Sequence, residues 1–390
     1  MQAYYANRVT NLSESITIAI STLARELKAQ GKDILSFSAG EPDFDTPQVV
    51  KDAAILAINE GFTKYTATIG IPDLLSAISD KLARDNNLSY SLKEIIVTSG
   101  AKHALFNIFQ ALIDKGDEVI IPSPYWVTYP ELVTFSNGKN IFIETSQENN
   151  FKITIEQLKS VITPKTKMLI LTTPSNPTGM VYSRQELEAI GEVLKGTNIW
   201  VLSDEIYEKL VYDGAFTSAG SISSDMLERT ITINGLSKAV AMTGWRMGYL
   251  ATKDQKLCKL INGFQSQSLS NINSITQKAA ITGLNGSADE DIKNMRMAFK
   301  QRRDFACEKI NAINGLSVVK PDGAFYLFVD CSSIAKDSMQ FCKDLLERAG
   351  VAVVPGTGFG MDGYFRFSFA TDLKSIEEGI QRIAGFVAGY

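Results

Sequence analysis

Apolar residues follow two rhythms along the first three-quarters of the chain. Short, nearly continuous apolar runs occur at 94–100 (EIIVTSG), 118–124 (EVIIPSP), 167–174 (KMLILTTP), 199–205 (IWVLSDE), 229–234 (RTITIN) and 248–252 (GYLAT). Runs of this length bounded by turn residues read as buried strands. Between them the spacing changes to that of a helix, as at Ile71, Leu74, Leu75, Ile78 and Leu82, in 101–113 (AKHALFNIFQALI) and over 184–195. Strands alternating with helices predict an α/β layer fold with a mostly parallel central sheet.

The pattern changes near residue 290. A long helix over 293–313 leads into SVVKPDGAFYLFVD, which reads as a hairpin with Asp322-Gly323 at its turn. A helix over 338–349, the segments VAVVPG and YFRFSFA, and a last helix over 372–388 follow. The expected organisation is a large domain at 45–290, a smaller α+β domain at 291–390, and an N-terminal segment at 1–44 packing with the smaller one. No internal repeat, low-complexity tract or charge run interrupts this plan.

Composition narrows the function classes. The chain has 390 residues, 45% hydrophobic and 21% charged, an ordinary balance for a chain with a sizeable core. A net charge of −4 argues against nucleic acid as the main partner, while a local basic pocket for a small anion stays compatible. Cys258, Cys307, Cys331 and Cys342 are dispersed, with no CxxC pair, so no zinc site is expected and a reducing cytoplasm fits. The start of the chain lacks the pattern of a signal peptide, and no stretch approaches the roughly 18 apolar residues of a membrane span. His103 is the only histidine. That excludes sites built from several histidines, and another residue would have to move protons.

In an open α/β sheet, ligands gather at the carboxyl ends of strands, where this sequence places several unusual polar residues. TSGAK (98–102) can be a plain strand-to-helix turn, or a cup of small residues for an anion at a helix N-terminus. Trp126 in SPYW can pack in the core or stack on a flat ligand. PSNPTG (174–179) surrounds Asn176 with prolines and glycine, which suits an amide that must point one way or a simple turn. In SDEIYE (203–208), Asp204 ends an apolar strand with Tyr207 three residues on, and the plain alternative is a helix cap. Lys238 sits among small and apolar residues eight positions before Arg246, and a buried lysine needs a reason. Arg366 lies between Phe365 and Phe367; strict alternation makes it an exposed strand residue unless a carboxylate requires it. GTGFG (356–360) has Met361 in place of the last glycine of a dinucleotide fingerprint and is not read as one.

An amine, an anion cup with an arginine, an aromatic plate, an acid and a carboxylate fork are what pyridoxal phosphate chemistry requires. The sequence resembles class I pyridoxal-phosphate aminotransferases of fold type I, most closely the bacterial aspartate aminotransferase branch. The resemblance rests on Gly235 to Gly248, AGEPDFDTP (39–47), YTATIG (65–70), SPYW, PSNPTGMVY, SDEIYE, PDGAFYLF and RFSFA, in order and spacing over essentially the whole chain. It implies the cofactor pyridoxal 5′-phosphate, a cytoplasmic homodimer, and ping-pong transfer of the amino group from L-aspartate to 2-oxoglutarate. Lys238 is then the Schiff-base lysine and proton shuttle, and Arg246 holds the phosphate with Ser99, Gly100, Ala101 and Lys102. Asp204 pairs with the pyridine nitrogen, Asn176 and Tyr207 bond the phenolic oxygen, and Trp126 stacks on the ring. Tyr65 reaches the neighbouring subunit's cofactor. Arg366 clamps the substrate α-carboxylate, aided by Gly40 and Asn176, and Lys102 meets the distal carboxylate. Trp126 also faces the substrate.

Two departures stand out. Many relatives carry serine at the place of Gly235, with its hydroxyl on the phosphate. Some relatives that also use prephenate carry a lysine where Ser13 aligns. The missing lysine counts against prephenate transamination; the alternatives within enzymes are alanine, aromatic or prephenate transamination and β-elimination. A non-catalytic cofactor-binding regulator is the remote one, since the chain leaves no length for an added DNA-binding domain.

Overall fold

The computed structural model describes residues 4–13 and 16–390. Its centre is a seven-stranded sheet built from β1 (Ile95–Thr98), β2 (Glu118–Ser123), β3 (Lys139–Glu144), β4 (Thr166–Thr172), β5 (Trp200–Asp204), β6 (Thr230–Gly235) and β7 (Gly248–Ala251), in the spatial order β1-β7-β6-β5-β4-β2-β3. Pairing is parallel from β6 across to β3, whereas β7 runs antiparallel to both β6 and β1. The expectation of a mostly parallel α/β sheet therefore holds.

The strands are apolar throughout because helices cover both faces. On one face the helix Ala101–Leu112 presses Leu105 and Ile108 onto Ile121, Ile170, Leu202 and Ile233. On the other, the helix Pro72–Asn86 buries Leu74, Leu75, Ile78 and Leu82 with Val97, Tyr249 and Ala251. Pro72 opens that helix where its missing N–H costs nothing, and Asn87 closes it in a left-handed conformation at φ 54°. β3 has no counterpart in the sequence reading. It is the sheet's edge and buries only Ile143, so it lacks the continuous apolar run that marks the inner strands.

A second, antiparallel sheet holds β8 (Ser317–Val318), β9 (Tyr326–Asp330), β10 (Val354–Pro355) and β11 (Tyr364–Ser368) in the order β10-β11-β9-β8. It packs with the helices Asp289–Asn311, Ser338–Ala349 and Leu373–Ala388 around Phe299, Phe341, Phe365, Phe367 and Ile383. The N-terminal segment joins this unit: Leu35–Ser36 pairs in parallel with Val351–Ala352, and Phe37 stacks on Phe367 at 4.2 Å. A Cβ at Gly379 would meet the Phe37 ring at 2.2 Å, so that helix docks only with glycine there. Ser13 instead reaches toward the large sheet, its N–H donating to Glu131 Oε2 at 2.9 Å. Within the helix Asp289–Asn311, Ile292 packs with the large-sheet core and Met295 with the small one, so the change at residue 290 falls inside one helix.

Asp322-Gly323 is not a tight hairpin turn. β8 and β9 are joined by a longer loop in which Gly323 donates to Gly179 O at 2.8 Å and bridges Val211, while Asp322 O accepts from Tyr212 N–H at 2.8 Å. A Cβ at Gly323 would meet Leu210 O at 2.7 Å. This glycine serves a close approach between backbones. GTGFG forms a short 3-10 turn leading toward β11, in keeping with its exclusion as a dinucleotide motif.

Candidate active site

The carboxyl ends of β4 and β5, the loop after β6 and the start of the helix Ala101–Leu112 converge on one cleft with about 860 Å³ of empty space, part of it open to solvent. Ala101, Lys102, Trp126, Asn176, Asp204 and Tyr207 line it from the large sheet. Lys238, Arg246, Gly40 and Arg366 complete it. Residues spread over more than 300 positions of sequence are thus gathered in one cleft; of those expected there, Ser99 and Gly100 lie behind its lining, and Tyr65 was expected at a neighbouring subunit's cofactor instead. Tyr65 is 91% exposed and lies outside this chain's cleft. Ser99 and Gly100 sit beside the cup with their N–H groups engaged, Ser99 donating to His103 Nδ1 at 3.2 Å and Gly100 to Thr98 O at 2.8 Å.

Lys238 follows β6 and points its ammonium into the cleft, where Nζ donates to Gly40 O at 2.5 Å. Burial pushes its pKa down to about 8, and the Arg366 and Arg246 charges add to this while Glu41 and Asp204 oppose it. A substantial neutral fraction near pH 7–8 makes the amine nucleophilic.

Asp204 ends β5 fully enclosed. Tyr129 Oη donates to its Oδ2 at 2.8 Å and Ile206 N–H to its Oδ1 at 3.3 Å. Burial raises its pKa to about 6, against the lowering effects of these bonds and of Lys238. A carboxyl so placed gains most from a cationic N–H in front of it. Asn176 and Tyr207 stand nearby, with Tyr207 Oη 2.9 Å from Tyr326 Oη. Trp126 is half-buried at the wall, edge-on to Tyr129 at 5.6 Å.

The anion cup is built by close approach. Gly100 has φ 79°, and a Cβ on it would meet the Arg246 guanidinium at 2.4 Å. A Cβ at Gly248 would meet Ala101 N at 2.4 Å. The first N–H groups of the helix Ala101–Leu112 have no carbonyl of their own helix to bond and carry its positive end. Arg246, itself at φ 57°, is exposed and bonds only carbonyls, Thr243 O at 2.9 Å and Ser99 O at 3.5 Å. Lys102 is exposed at the rim with its ammonium 4.8 Å from the centre of the Trp126 ring. Loss of hydration, then the Arg246 charge, lowers its pKa.

Arg366 corrects the alternation argument. It is 1% exposed, and Phe365 and Phe367 on the opposite face are buried too, because β11 is the inner strand of its sheet and covered on both sides. Its two terminal nitrogens donate to Asn176 Oδ1 and Ser38 O, each at 2.9 Å, and the guanidinium lies 4.3 Å from the Tyr326 ring centre. Nε is buried without a partner, and burial lowers the pKa.

The sequence reading missed Tyr129 and Thr172, which are joined at 2.9 Å and support Asp204, and Ser237 and Tyr326 in the cleft wall. Only the helical register of Tyr129, three residues after Trp126, hinted at the first. At Gly235 a Cβ would meet Met247 O at 2.7 Å and Gly248 Cα at 2.9 Å. The glycine therefore belongs to the close pairing of β6 with β7 and leaves no space for a serine hydroxyl.

The family model "Aminotransferase class I and II" matches residues 32–383. The chain belongs to this family. The aminotransferase is 49% identical to an aspartate aminotransferase of Bacillus sp. (strain YM-2), over 99% of this chain and all of the relative. Its fold matches the crystal structure of an aspartate aminotransferase from Rhizobium meliloti with TM-score 0.95 and 41% identity, covering 99% of each chain. A Thermus thermophilus aspartate aminotransferase with maleate matches equally well, with TM-score 0.95 and 42% identity over 98% of this chain and all of that one.

As a class I aminotransferase it depends on pyridoxal 5′-phosphate, and the cleft fits that group. A flat ring with a basic nitrogen suits the space between Trp126 and the buried Asp204. A phosphate suits a cup that would be filled by a Cβ at Gly100. Arg246 has no carboxylate partner among the described residues. The same residues group no three His, Cys, Asp or Glu side chains able to hold a metal ion.

Proposed function

We propose that the aminotransferase moves the amino group of L-aspartate to 2-oxoglutarate, giving oxaloacetate and L-glutamate in two half-reactions. One observation carries this reading. Three cations without carboxylate partners among the described residues, Arg246, Arg366 and Lys102, line one cleft around Lys238. One matches the cofactor phosphate, and the other two match the ends of a dicarboxylic substrate. The dicarboxylate maleate accompanies the Thermus relative, in line with such a site.

Bound pyridoxal phosphate supplies a carbonyl for the amino group and a ring that accepts electrons from the substrate Cα. Lys238 would hold the cofactor through its amine, and as the amine enclosed within the cleft it would move the proton at the substrate Cα. Asp204 keeps the ring nitrogen protonated. Asn176, whose Oδ1 is already taken by Arg366, presents its Nδ2 to the phenolic oxygen with Tyr207. Trp126 covers the ring. The backbone N–H groups of Ala101 and Lys102 and the Arg246 guanidinium would hold the phosphate, with Gly100 leaving room for it and Ser99 shaping the turn. Arg366 and the Gly40 backbone fix the α-carboxylate, and Lys102 attracts the distal one.

The working unit is a homodimer in this reading. Ile55, Leu56 and Ile58 on the helix Gln48–Asn59 are each more than half exposed, as is Tyr65, and an apolar patch of this kind suits a second copy. We also assign 45–290 as the cofactor domain and 291–390, with the N-terminal segment, as the domain that carries Arg366. The four cysteines are free and buried, which suits the cytoplasm. Among the described residues no helix is long and apolar enough to cross a membrane.

The test is a panel of amino acids with 2-oxoglutarate, read as the oxo acid formed, for wild type and Lys102→Ala. Aspartate should lead. Lys102→Ala should lower kcat/KM for aspartate about fivefold, the effect of one exposed charged hydrogen bond, and hardly change that for alanine. An equal loss for both would remove Lys102 from substrate recognition.

A further inference from the structure

SDEIYE divides between two faces of the sheet. A strand presents successive side chains to opposite sides, so Asp204 looks into the cleft while Ser203 and Glu205 look to the rear. There Glu205 is completely buried. Ser203 Oγ donates to its Oε1 at 2.9 Å and Ala219 N–H to the same oxygen at 3.2 Å, while Asn86 Nδ2 is 3.5 Å from Oε2. Ser218 Oγ lies 2.7 Å from both carboxyl oxygens. A hydroxyl has one proton. Ser218 can share that proton between the two oxygens of a carboxylate, or donate to one oxygen and accept from the other when the carboxyl is un-ionised.

The surrounding charges favour the second arrangement. Lys81, on the helix Pro72–Asn86, is the buried ammonium here. It pairs with Glu208 and donates to Asn86 Oδ1 at 2.7 Å. Asn86 Nδ2 in turn donates to Glu208 Oε2 at 2.5 Å. Asp85 is held by Lys209 at 2.8 Å and by Arg84. The other groups facing this region, Tyr90 and Tyr249, are phenols raised by burial. Glu205 is left as the second carboxyl beside one ammonium. Burial first and the Glu208 charge second push its pKa up to about 7, against the lowering effects of the Ser218 and Ser203 hydrogen bonds and of Lys81.

We propose that Glu205 is a positioning residue for the transfer reaction. As an un-ionised acid exchanging two hydrogen bonds with Ser218, it pins the end of β5 so that Asp204 and Tyr207 face the cofactor. The backbone completes the clamp. Glu205 N–H donates to Ile233 O at 2.9 Å, and Glu205 O accepts from Glu208 N–H at 3.0 Å across the turn that carries Tyr207. The inference rests on the assignment of Asp204 and Tyr207 to the cofactor.

Glutamine keeps an acceptor oxygen on one side and a donating group on the other, as a neutral carboxyl does, although its NH2 carries two hydrogens; alanine offers neither. The test compares Glu205→Gln, Glu205→Ala and Ser218→Ala as pyridoxal-phosphate-loaded proteins. It reads the pH midpoint of the bound cofactor's absorbance alongside kcat and KM for aspartate. Glu205→Gln should keep the midpoint and hold kcat within about twofold. Glu205→Ala should shift the midpoint and lower kcat about tenfold at nearly constant KM, because Asp204 acts on the ring and not on the substrate carboxylates. Ser218→Ala should move both readouts the same way with about a threefold loss, as for one hydrogen bond, and it decides the matter if the alanine variant does not fold. Glutamine as damaging as alanine, or an unmoved midpoint in Ser218→Ala, would overturn the proposal. Failure of the wild-type protein to show a cofactor absorbance would overturn the cofactor assignment itself, and the proposal with it.

Discussion

The two arginines of the cleft do opposite things with the same guanidinium. Arg246 lies on the loop between β6 and β7, exposed, in a left-handed backbone conformation, and touches only carbonyl oxygens. Arg366 lies inside a strand, enclosed by aromatic rings, with two of its nitrogens already committed to Asn176 and Ser38. An exposed charge is screened by water and tolerates a range of geometries. A buried one acts through a low dielectric and imposes a plane. The open arginine suits a phosphate also held by backbone N–H groups. The enclosed one suits a substrate that must be oriented anew in every turnover.

Replacing each by lysine should separate the two roles. A lysine cannot copy the planar fork. Arg366→Lys should raise KM for both aspartate and 2-oxoglutarate about a hundredfold, as expected when a desolvated, charge-assisted pair is lost. Unchanged Michaelis constants for both would place Arg366 outside the substrate site. Arg246→Lys keeps a charge where water already screens it. It should weaken cofactor binding about tenfold in equilibrium dialysis and leave KM for aspartate nearly unchanged at saturating cofactor. A rise in KM as large as that of Arg366→Lys would erase the distinction.

Lys238 allows a finer comparison, since both arginines help lower its pKa, with burial the larger cause. Only the neutral amine attacks a carbonyl. The rate of cofactor capture by the cofactor-free protein should therefore rise with pH and level off above about 8. An ordinary lysine would keep rising past pH 10. Arg246→Lys should leave this midpoint almost in place. A plateau only above pH 10 would mean that the ammonium is not enclosed as described.

The two arginines also mark where sequence reading succeeds. Arg246 was legible because it stands at a fixed distance from Lys238 within a local signature, and the cup is one strand-to-helix turn. Inner strands of the large sheet were legible because burial on both faces leaves an unbroken apolar run. The edge strand Lys139–Glu144 was not, since one solvent-facing side breaks that run. Periodicity failed for Arg366 because β11 is buried on both faces, so alternation no longer reports exposure. The resemblance, not the pattern, pointed to its role. Tyr129, Ser218 and Lys81 escaped because their importance lies in partners 75, 13 and 127 positions away. Asp322-Gly323 misled because the dipeptide serves a tertiary backbone contact instead of a local turn.

The most direct test of the account is a single turnover. Protein loaded with pyridoxal phosphate is mixed with L-aspartate in the absence of any oxo acid, and the oxaloacetate released is quantified for wild type and for Lys238→Ala. Wild type should release oxaloacetate in proportion to bound cofactor and then stop. Lys238→Ala, which retains the Arg246, Asp204 and Trp126 contacts, should still bind cofactor but release oxaloacetate slower by orders of magnitude. Equal bursts from the two proteins, or none from wild type, would contradict the assignment of Lys238 and the half-reaction built on it.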